Sequence, residues 1–428
     1  MKIRIVSDDY INFFKSYIKN ELVYPIDNPC FNMSFSKFYN NQYLFCVRNV
    51  ILYKQLIKKE KLYPGISKYF LVMSQQHTEN NLSNTYIWDW KNYYQTIIFF
   101  TGFINVDTLK ISPNKTIKPH VLISPSFSYK LPKYFNNKLL SRYRLINLED
   151  FRLFFSNNVA YVYDGAINKL YVMMLIKNKL ILKNTYSGIC DINNEVPYMM
   201  MTNDYVKIFE KNWSLYIVKR NADKKDVEFK FIHDFEENGI YGINFFPEKK
   251  KCKKELLVSY APNTIPIDSS IVRFSLSSPC IKLSPNLYLG LGHIKIKFYK
   301  ITEENHKTDK DEHFIKMALD IHKNMRKFYK KQYRPHKMFM YMNFLFKYNS
   351  AKKTFHISDF LLPIPKYEYY FSLSYLTSIS IINNKIIMTG GIGDYSSIMI
   401  NMDLDELKMI KHDMSNLNIN DLTFMIVK

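Results

Sequence analysis

Residues Asn147 to Gly165 read Asn-Leu-Glu-Asp-Phe-Arg-Leu-Phe-Phe-Ser-Asn-Asn-Val-Ala-Tyr-Val-Tyr-Asp-Gly, and this stretch sets two carboxylates, Glu149 and Asp150, beside the guanidinium of Arg152. A carboxyl group can give or take a proton, and an arginine offers charge-assisted hydrogen bonds to phosphate oxygens. The plainer reading of the trio is a surface salt-bridge cluster. Comparable residue types stand at loop-to-strand positions elsewhere: Asn32 and Arg48, Lys211 and Asn212, His293, and Asp394. Acids, amides, an imidazole and several cations form the equipment for protonating a sugar oxygen and gripping a phosphate. Each also has a simpler role: a turn histidine for His293 after Gly-Leu-Gly, an Asx turn for Asp394 in Gly-Ile-Gly-Asp-Tyr. The Gly-x-Gly before Asp394 is no dinucleotide fingerprint, because the third glycine is missing and strands, not a helix, are expected around it.

These residues need a scaffold that makes distant loops neighbours. Arg152 to Phe155 predicts a strand that turns at Asn157-Asn158 and returns as Val159 to Tyr163, because paired asparagines tolerate the left-handed backbone of a tight hairpin. The same form appears in Phe31 to Tyr39 with Gln42 to Arg48 around Asn40-Asn41, and in Ser378 to Ile382 with Lys385 to Thr389 around Asn383-Asn384. Looser copies are Trp213 to Val218 with Val227 to Ile232, and Cys280 to Leu283 with Leu287 to Gly292. Further strands are expected at Thr96 to Ile104, Leu170 to Ile176, Leu180 to Lys183, Leu256 to Tyr260 and Met338 to Phe346. Five strand-turn-strand recurrences with extra strands between them predict an all-β chain, a five-bladed β-propeller, in one domain spanning 1–428. A short helix is expected over Tyr10 to Tyr17. The pattern breaks at 303–335, where Phe314, Met317, Ala318, Ile321, Met325 and Phe328 fall at a helical period between leading acids and Pro335. This predicts a helical insertion covering one face; a basic amphipathic helix lying on a membrane is its other reading.

Composition agrees. A chain of 428 residues with 47% hydrophobic content can bury a full core, and 34 Tyr with 32 Phe favour strands. Turns must draw on Asn, Asp, Ser and 16 Pro, since there are only 11 Gly. The net charge of +22 implies attraction to anions, although AT-rich coding would also enrich lysine. The basic residues are spread along the chain without a stripe, so nucleic acid is set aside as a partner. Cys30, Cys46, Cys190, Cys252 and Cys280 are far apart, with no Cys-x-x-Cys pair, and read as reduced residues of a cytoplasmic protein. No apolar run is long enough for a membrane span, and none resembles a signal segment.

The segment Leu148-Glu-Asp-Phe-Arg-Leu-Phe resembles the Glu-Asp-Pro-Arg signature of the β-mannoside phosphorylase family of five-bladed propellers, whose relatives include β-mannoside hydrolases and β-mannosyltransferases. Other pieces resemble that family in its order: Phe31-Asn-Met-Ser with Cys46-Val-Arg48, Phe209-Glu-Lys-Asn-Trp-Ser, Ser277-Ser-Pro with Leu289-Gly-Leu-Gly-His293, and Thr389-Gly-Gly-Ile-Gly-Asp394. The resemblance implies that Asp150 is the proton donor, and that Arg48, Arg152, Lys211 and His293 hold phosphate. Asn32, Glu149, Asn212 and Asp394 are expected to bind the sugar substrate. The implied activity is glycosyl transfer or phosphorolysis on β-mannosides or related glycans, with a sugar phosphate or nucleotide sugar as donor, a glycan as acceptor, and no cofactor or metal. Two departures stand out: Phe151 replaces the signature proline, and Ser278 replaces the glycine of the fourth element. Loss of the proline is expected to relax the loop that aims Asp150, which leaves a non-catalytic glycan-binding or protein-interaction propeller as the alternative.

Overall fold

The computed structural model describes residues 1–15, 22–23, 30–39, 41–53, 93–123, 151–164, 169–186, 201–202, 205–206, 213–220, 227–236, 238–247, 251–261, 271–297, 309–329, 339–364, 374–392 and 396–427. Within them the fold is an all-β, propeller-like arrangement with few helices.

Each recurrence is an antiparallel hairpin extended outward into a meander. The innermost strands are Cys30–Lys37, Phe151–Ser156, Ser214–Arg220, the broken pair Val272–Leu276 and Ile281–Ser284, and Tyr375–Ile382. The second and third recurrences form four-stranded sheets of their own, over Phe151–Tyr186 and Ser214–Ser259. The fourth carries an eight-stranded sheet. The first and fifth do not remain apart: one parallel bridge, Ser396 to Cys30, joins their meanders into a ten-stranded sheet. The five separate blades expected from sequence are therefore corrected to four sheets of four or more strands among the described residues. The physical reason is that Ser396–Asp403 lies beside the first recurrence and also pairs with the N-terminal strand Lys2–Ile5, Ile5 opposite Ile398.

The turns follow the asparagines. Asn157 and Asn158 have φ of 49° and 59°, and Asn383 and Asn384 have 47° and 60°, so both central residues of each two-residue loop are left-handed. Such turns match the strand twist, and Asn adopts this backbone at less cost than most side-chain-bearing residues. The Lys177-Asn178 hairpin is a third of the same kind.

Neighbouring recurrences share apolar cores. Phe38, Leu44 and Phe99 of the first pack with Phe151, Leu153 and Val162 of the second. Tyr161 and Tyr163 of the second pack with Leu215, Phe229 and Phe231 of the third. The largest cluster joins the third, fourth and fifth, from Phe235 through Phe344 to Ile400. Phe35 and Phe100 then meet Ile387 and Met399, which returns the ring to the first recurrence. Each fully buried side chain of this size contributes about 1.5–3 kcal/mol relative to exposure, so the four cores are where the stability resides.

The helix expected near the N-terminus is Asp8–Lys15, capping the last of these cores with Tyr10, Phe13 and Phe14. The second expected helix is Asp309–Tyr329. Phe314, Met317, Ala318 and Ile321 are buried as their spacing requires, and Phe314 sets its edge against Phe274 at 5.7 Å and Phe360 at 6.2 Å. The side chains of Met325 and Phe328 lie outside the described residues. No helix among the described residues is long and apolar enough to cross a membrane. Cys46 and Cys280 are buried free thiols, but Cys252 is disulfide-bonded. That corrects the expectation of five reduced cysteines, and the cysteines no longer argue for a reducing compartment.

Candidate functional site

The innermost strands converge. Leu153 N–H of the second recurrence donates to Ser34 Oγ of the first (3.2 Å), and Phe35 N–H of the first donates to Ser378 Oγ of the fifth (3.0 Å). Ser214 Oγ–H of the third donates to the Ser278 carbonyl of the fourth (2.5 Å), while Cys280 N–H donates to Leu215 O (2.8 Å). Asn343 closes the fourth to the fifth, giving its amide to Ser374 O (3.1 Å) and accepting Leu376 N–H (3.0 Å). Ser34, Ser214, Ser278, Asn343 and Ser378 are all buried. Short polar side chains thus supply most of these bonds between sheets, with the Cys280–Leu215 main-chain bond beside them.

Arg152 sits at this convergence, only 2% exposed. Its Nε–H donates to Ser277 O at 2.6 Å, one Nη to Tyr375 Oη at 2.7 Å, and the other to Phe151 O at 3.3 Å. The Tyr375 ring also lies 5.2 Å from the guanidinium carbon. One side chain of the second recurrence is therefore tied to the fourth and the fifth, across 125 and 223 residues of chain. The same group holds His293. Its Nδ1 is 2.8 Å from Ser277 Oγ, and its ring meets Tyr375 edge-on at 4.9 Å and Tyr341 at 5.3 Å. Burial holds the imidazole well below its usual pKa, and the charges of Lys295, Arg152 and Arg273 push the same way. His293 is thus neutral near pH 7 and serves as a hydrogen-bonding group under the mouth rather than as a cation.

Asn32 is half-buried and left-handed at φ 51°, at the irregularity between Phe31 and Ser34. Gly391 of the fifth recurrence makes room for it: a Cβ there would lie 2.4 Å from Asn32 Oδ1 and 2.7 Å from its backbone nitrogen. Arg48 is half-buried one strand outward, opposite Phe31 and beside Ile97. Arg152 and His293 are hence brought into one cluster, and Asn32 and Arg48 stand at the same strand-start end of the first recurrence. Glu149, Asp150, Lys211, Asn212 and Asp394 lie outside the described residues, each within two positions of a described one: Phe151, Trp213 or Ile392.

Two departures from the expected motif have local explanations. Phe151 is 2% exposed and meets Phe99 edge-on at 5.8 Å, with Tyr171 at 6.4 Å. Packing between the first and second recurrences anchors the start of this strand where a proline would restrict the backbone covalently. Ser278 turns its Oγ back to accept Leu291 N–H at 3.0 Å, so the extra atoms complete a backbone bond.

Sequence reasoning passed over Tyr375 and Asn343 and quoted Ser277 only as part of a motif; these are the partners that position Arg152 and close the ring. Tyr375 carried a usable signal, since it opens the innermost strand of the fifth recurrence as Arg152 follows the opening residue of the second. Trp213 is a packing residue: it is 6% exposed, stacks near Tyr163 at 6.3 Å, and meets Phe231 and His233 edge-on at 5.7 and 4.9 Å. No group of three or more metal-ligating side chains occurs among the described residues.

No family model and no curated protein sequence matches the chain. Among solved structures it is similar to a β-1,2-mannobiose phosphorylase from Listeria innocua in complex with β-1,2-mannobiose, at 13% identity and TM-score 0.42, covering 96% of this chain and 99% of that one. It is also similar to a glycosyl hydrolase from Bacteroides ovatus, at 10% identity and TM-score 0.40, with 91% and 90% covered. A third is MPT-4, a mannose phosphorylase from Leishmania mexicana in complex with a phosphate ion, at 10% identity and TM-score 0.36, with 96% of each chain covered. Likeness this loose transfers no residue role.

Proposed function

We propose that the protein is a carbohydrate-active enzyme whose site is the strand-start mouth of the ring, where it performs glycosyl transfer or phosphorolysis on β-mannosides or related glycans. The observation that carries this reading is the tethering of Arg152 to Ser277 and Tyr375, which holds a guanidinium from the second recurrence against the fourth and fifth. A buried, oriented guanidinium suits an anionic leaving group, because a fixed charge in a water-poor site needs no reorganisation as charge develops. The motif resemblance of Glu149-Asp-Phe-Arg152 supports the same reading, and so does the anchoring of Phe151, which keeps the preceding residue attached to a rigid strand. In this proposal Asp150 exchanges a proton with a sugar oxygen, directly or through a neighbouring hydroxyl. Arg152, Arg48 and Lys211 hold the phosphate of a sugar phosphate or nucleotide-sugar donor, with neutral His293 supporting Ser277 beneath them. Asn32, Glu149, Asn212 and Asp394 orient sugar hydroxyls.

The test incubates the protein with sugar 1-phosphates and nucleotide sugars, together with mannose, glucose and N-acetylglucosamine acceptors, and measures release of phosphate or nucleotide. Release is expected from at least one donor, and Asp150→Asn should abolish it while donor binding persists. Donor binding without release in the unmodified chain would instead establish a glycan-binding propeller, and neither binding nor release would remove the sugar reading.

A further inference from the structure

The other end of the ring holds a cavity of about 870 Å³, lined by the downstream parts of the innermost strands of all five recurrences. Phe35, Leu153, Tyr216, Ile281 and Ile379 each contribute one wall. Leu153 follows Arg152 directly in the chain, but Arg152, His293, Ser277 and Tyr375 do not line this cavity, which is bounded instead by residues further along the innermost strands. Its volume lies within the range of small-molecule sites, roughly 300–1,000 Å³.

Charge in the cavity is one-sided. Lys37, Lys219, Lys230, Lys282 and Lys353 line it, against the single carboxylate of Glu255. Lys219 and Lys230 lie 3.8 and 3.5 Å from Glu228 and are partly neutralised. Lys37, Lys282 and Lys353 are exposed and make no ion pair among the described residues. They come from the first and fourth recurrences, Lys353 from the turn that precedes Thr354–Ser358 and is left-handed at φ 51°. Cationic side chains around a recess with apolar walls focus the field on its opening and concentrate anions there. Behind them Tyr216, Tyr288 and Tyr348 form a tyrosine cluster, with ring centroids 5.1 Å apart for the first pair and 5.5 Å for Tyr216 and Tyr348. Burial raises all three phenols, so they stay protonated and able to donate hydrogen bonds.

We propose that this cavity binds a compact polyphosphate-bearing small molecule, its phosphates held by Lys37, Lys282 and Lys353 and its body lying toward the tyrosines. Two or more phosphates suit the site because the three lysines come from two different strands and a turn, and each phosphate adds an anionic partner for them. The inference does not rest on the sugar reading, since none of these residues takes part in it.

The experiment uses the full chain with adenosine triphosphate and inorganic tripolyphosphate as probes, followed by titration calorimetry at low and physiological salt. Saturable binding that weakens at higher salt is expected. The triple variant K37Q/K282Q/K353Q should bind at least tenfold more weakly while keeping the thermal melt of the parent. Bound probe should also protect Lys37, Lys282 and Lys353 from acetylation, read by mass spectrometry on the unmodified chain. Binding of either probe with this protection supports the site, and preference for adenosine triphosphate assigns the tyrosines to the organic body. Failure of both probes to bind, unchanged affinity in the triple variant, or protection confined to other lysines would overturn it, and each leaves the sugar-donor assay unaffected.

Discussion

Replacing Tyr375 by phenylalanine removes one oxygen and leaves the ring, which makes it a clean probe of the clamp on Arg152. The lost contact is the 2.7 Å bond from the guanidinium to Tyr375 Oη. The ring would still stand 4.9 Å from His293 and 5.2 Å from the guanidinium carbon, so aromatic packing and cation–ring attraction persist. Arg152 is 2% exposed, so water does not easily take the place of the missing acceptor. A hydrogen bond to a charged group contributes about 1.5–3 kcal/mol, and the expected loss of stability is about 2 kcal/mol. For 428 residues the unfolding entropy is about 0.9 kcal/mol/K, so the melting temperature should fall by only about 2 °C. Urea unfolding is therefore the better assay, with a lower midpoint and an unchanged slope. A double-mutant cycle with Arg152→Lys should return a coupling of about 1–2 kcal/mol, because the two residues share one bond. A Tyr375→Phe effect within about 0.5 kcal/mol, or strict additivity in the cycle, would mean that no such clamp joins the second and fifth recurrences.

His293 is buried and neutral, so an unfolded chain binds a proton near pH 6.5 that the native chain refuses; stability should hold above that pH and decline below it, and His293→Gln should flatten the decline. Nuclear magnetic resonance of the imidazole checks this directly, and a native titration near 6.5 would contradict it. At the Asn157-Asn158 hairpin, Asn158 has φ 59°, so Asn158→Val should cost about 1–2 kcal/mol in urea unfolding while Asn158→Gly is close to neutral; equal effects would exclude backbone strain as the cause.

The hairpins were legible in the sequence because their cause is local. Two adjacent asparagines between apolar runs specify a left-handed two-residue turn whatever surrounds them, and Asn157-Asn158 and Asn383-Asn384 adopt it. The helix at Asp309–Tyr329 was legible for the same reason, since its apolar period is written within one segment. The pairing of sheets was not. A single bridge from Ser396 to Cys30 merges the first and fifth recurrences, and nothing near either residue announces a partner more than 360 positions away.

The candidate site divides in the same way. Sequence alone determined which side chains could bear charge or carry a proton, and that Arg152 and His293 open or follow strands of repeated form. Only the tertiary structure decided that Arg152 reaches Ser277 and Tyr375, that His293 is buried and neutral, and that Phe151 anchors its strand by packing. Residue type is a property of one position, whereas burial, electrostatic shift and hydrogen-bond partnership depend on whatever the closed ring brings alongside.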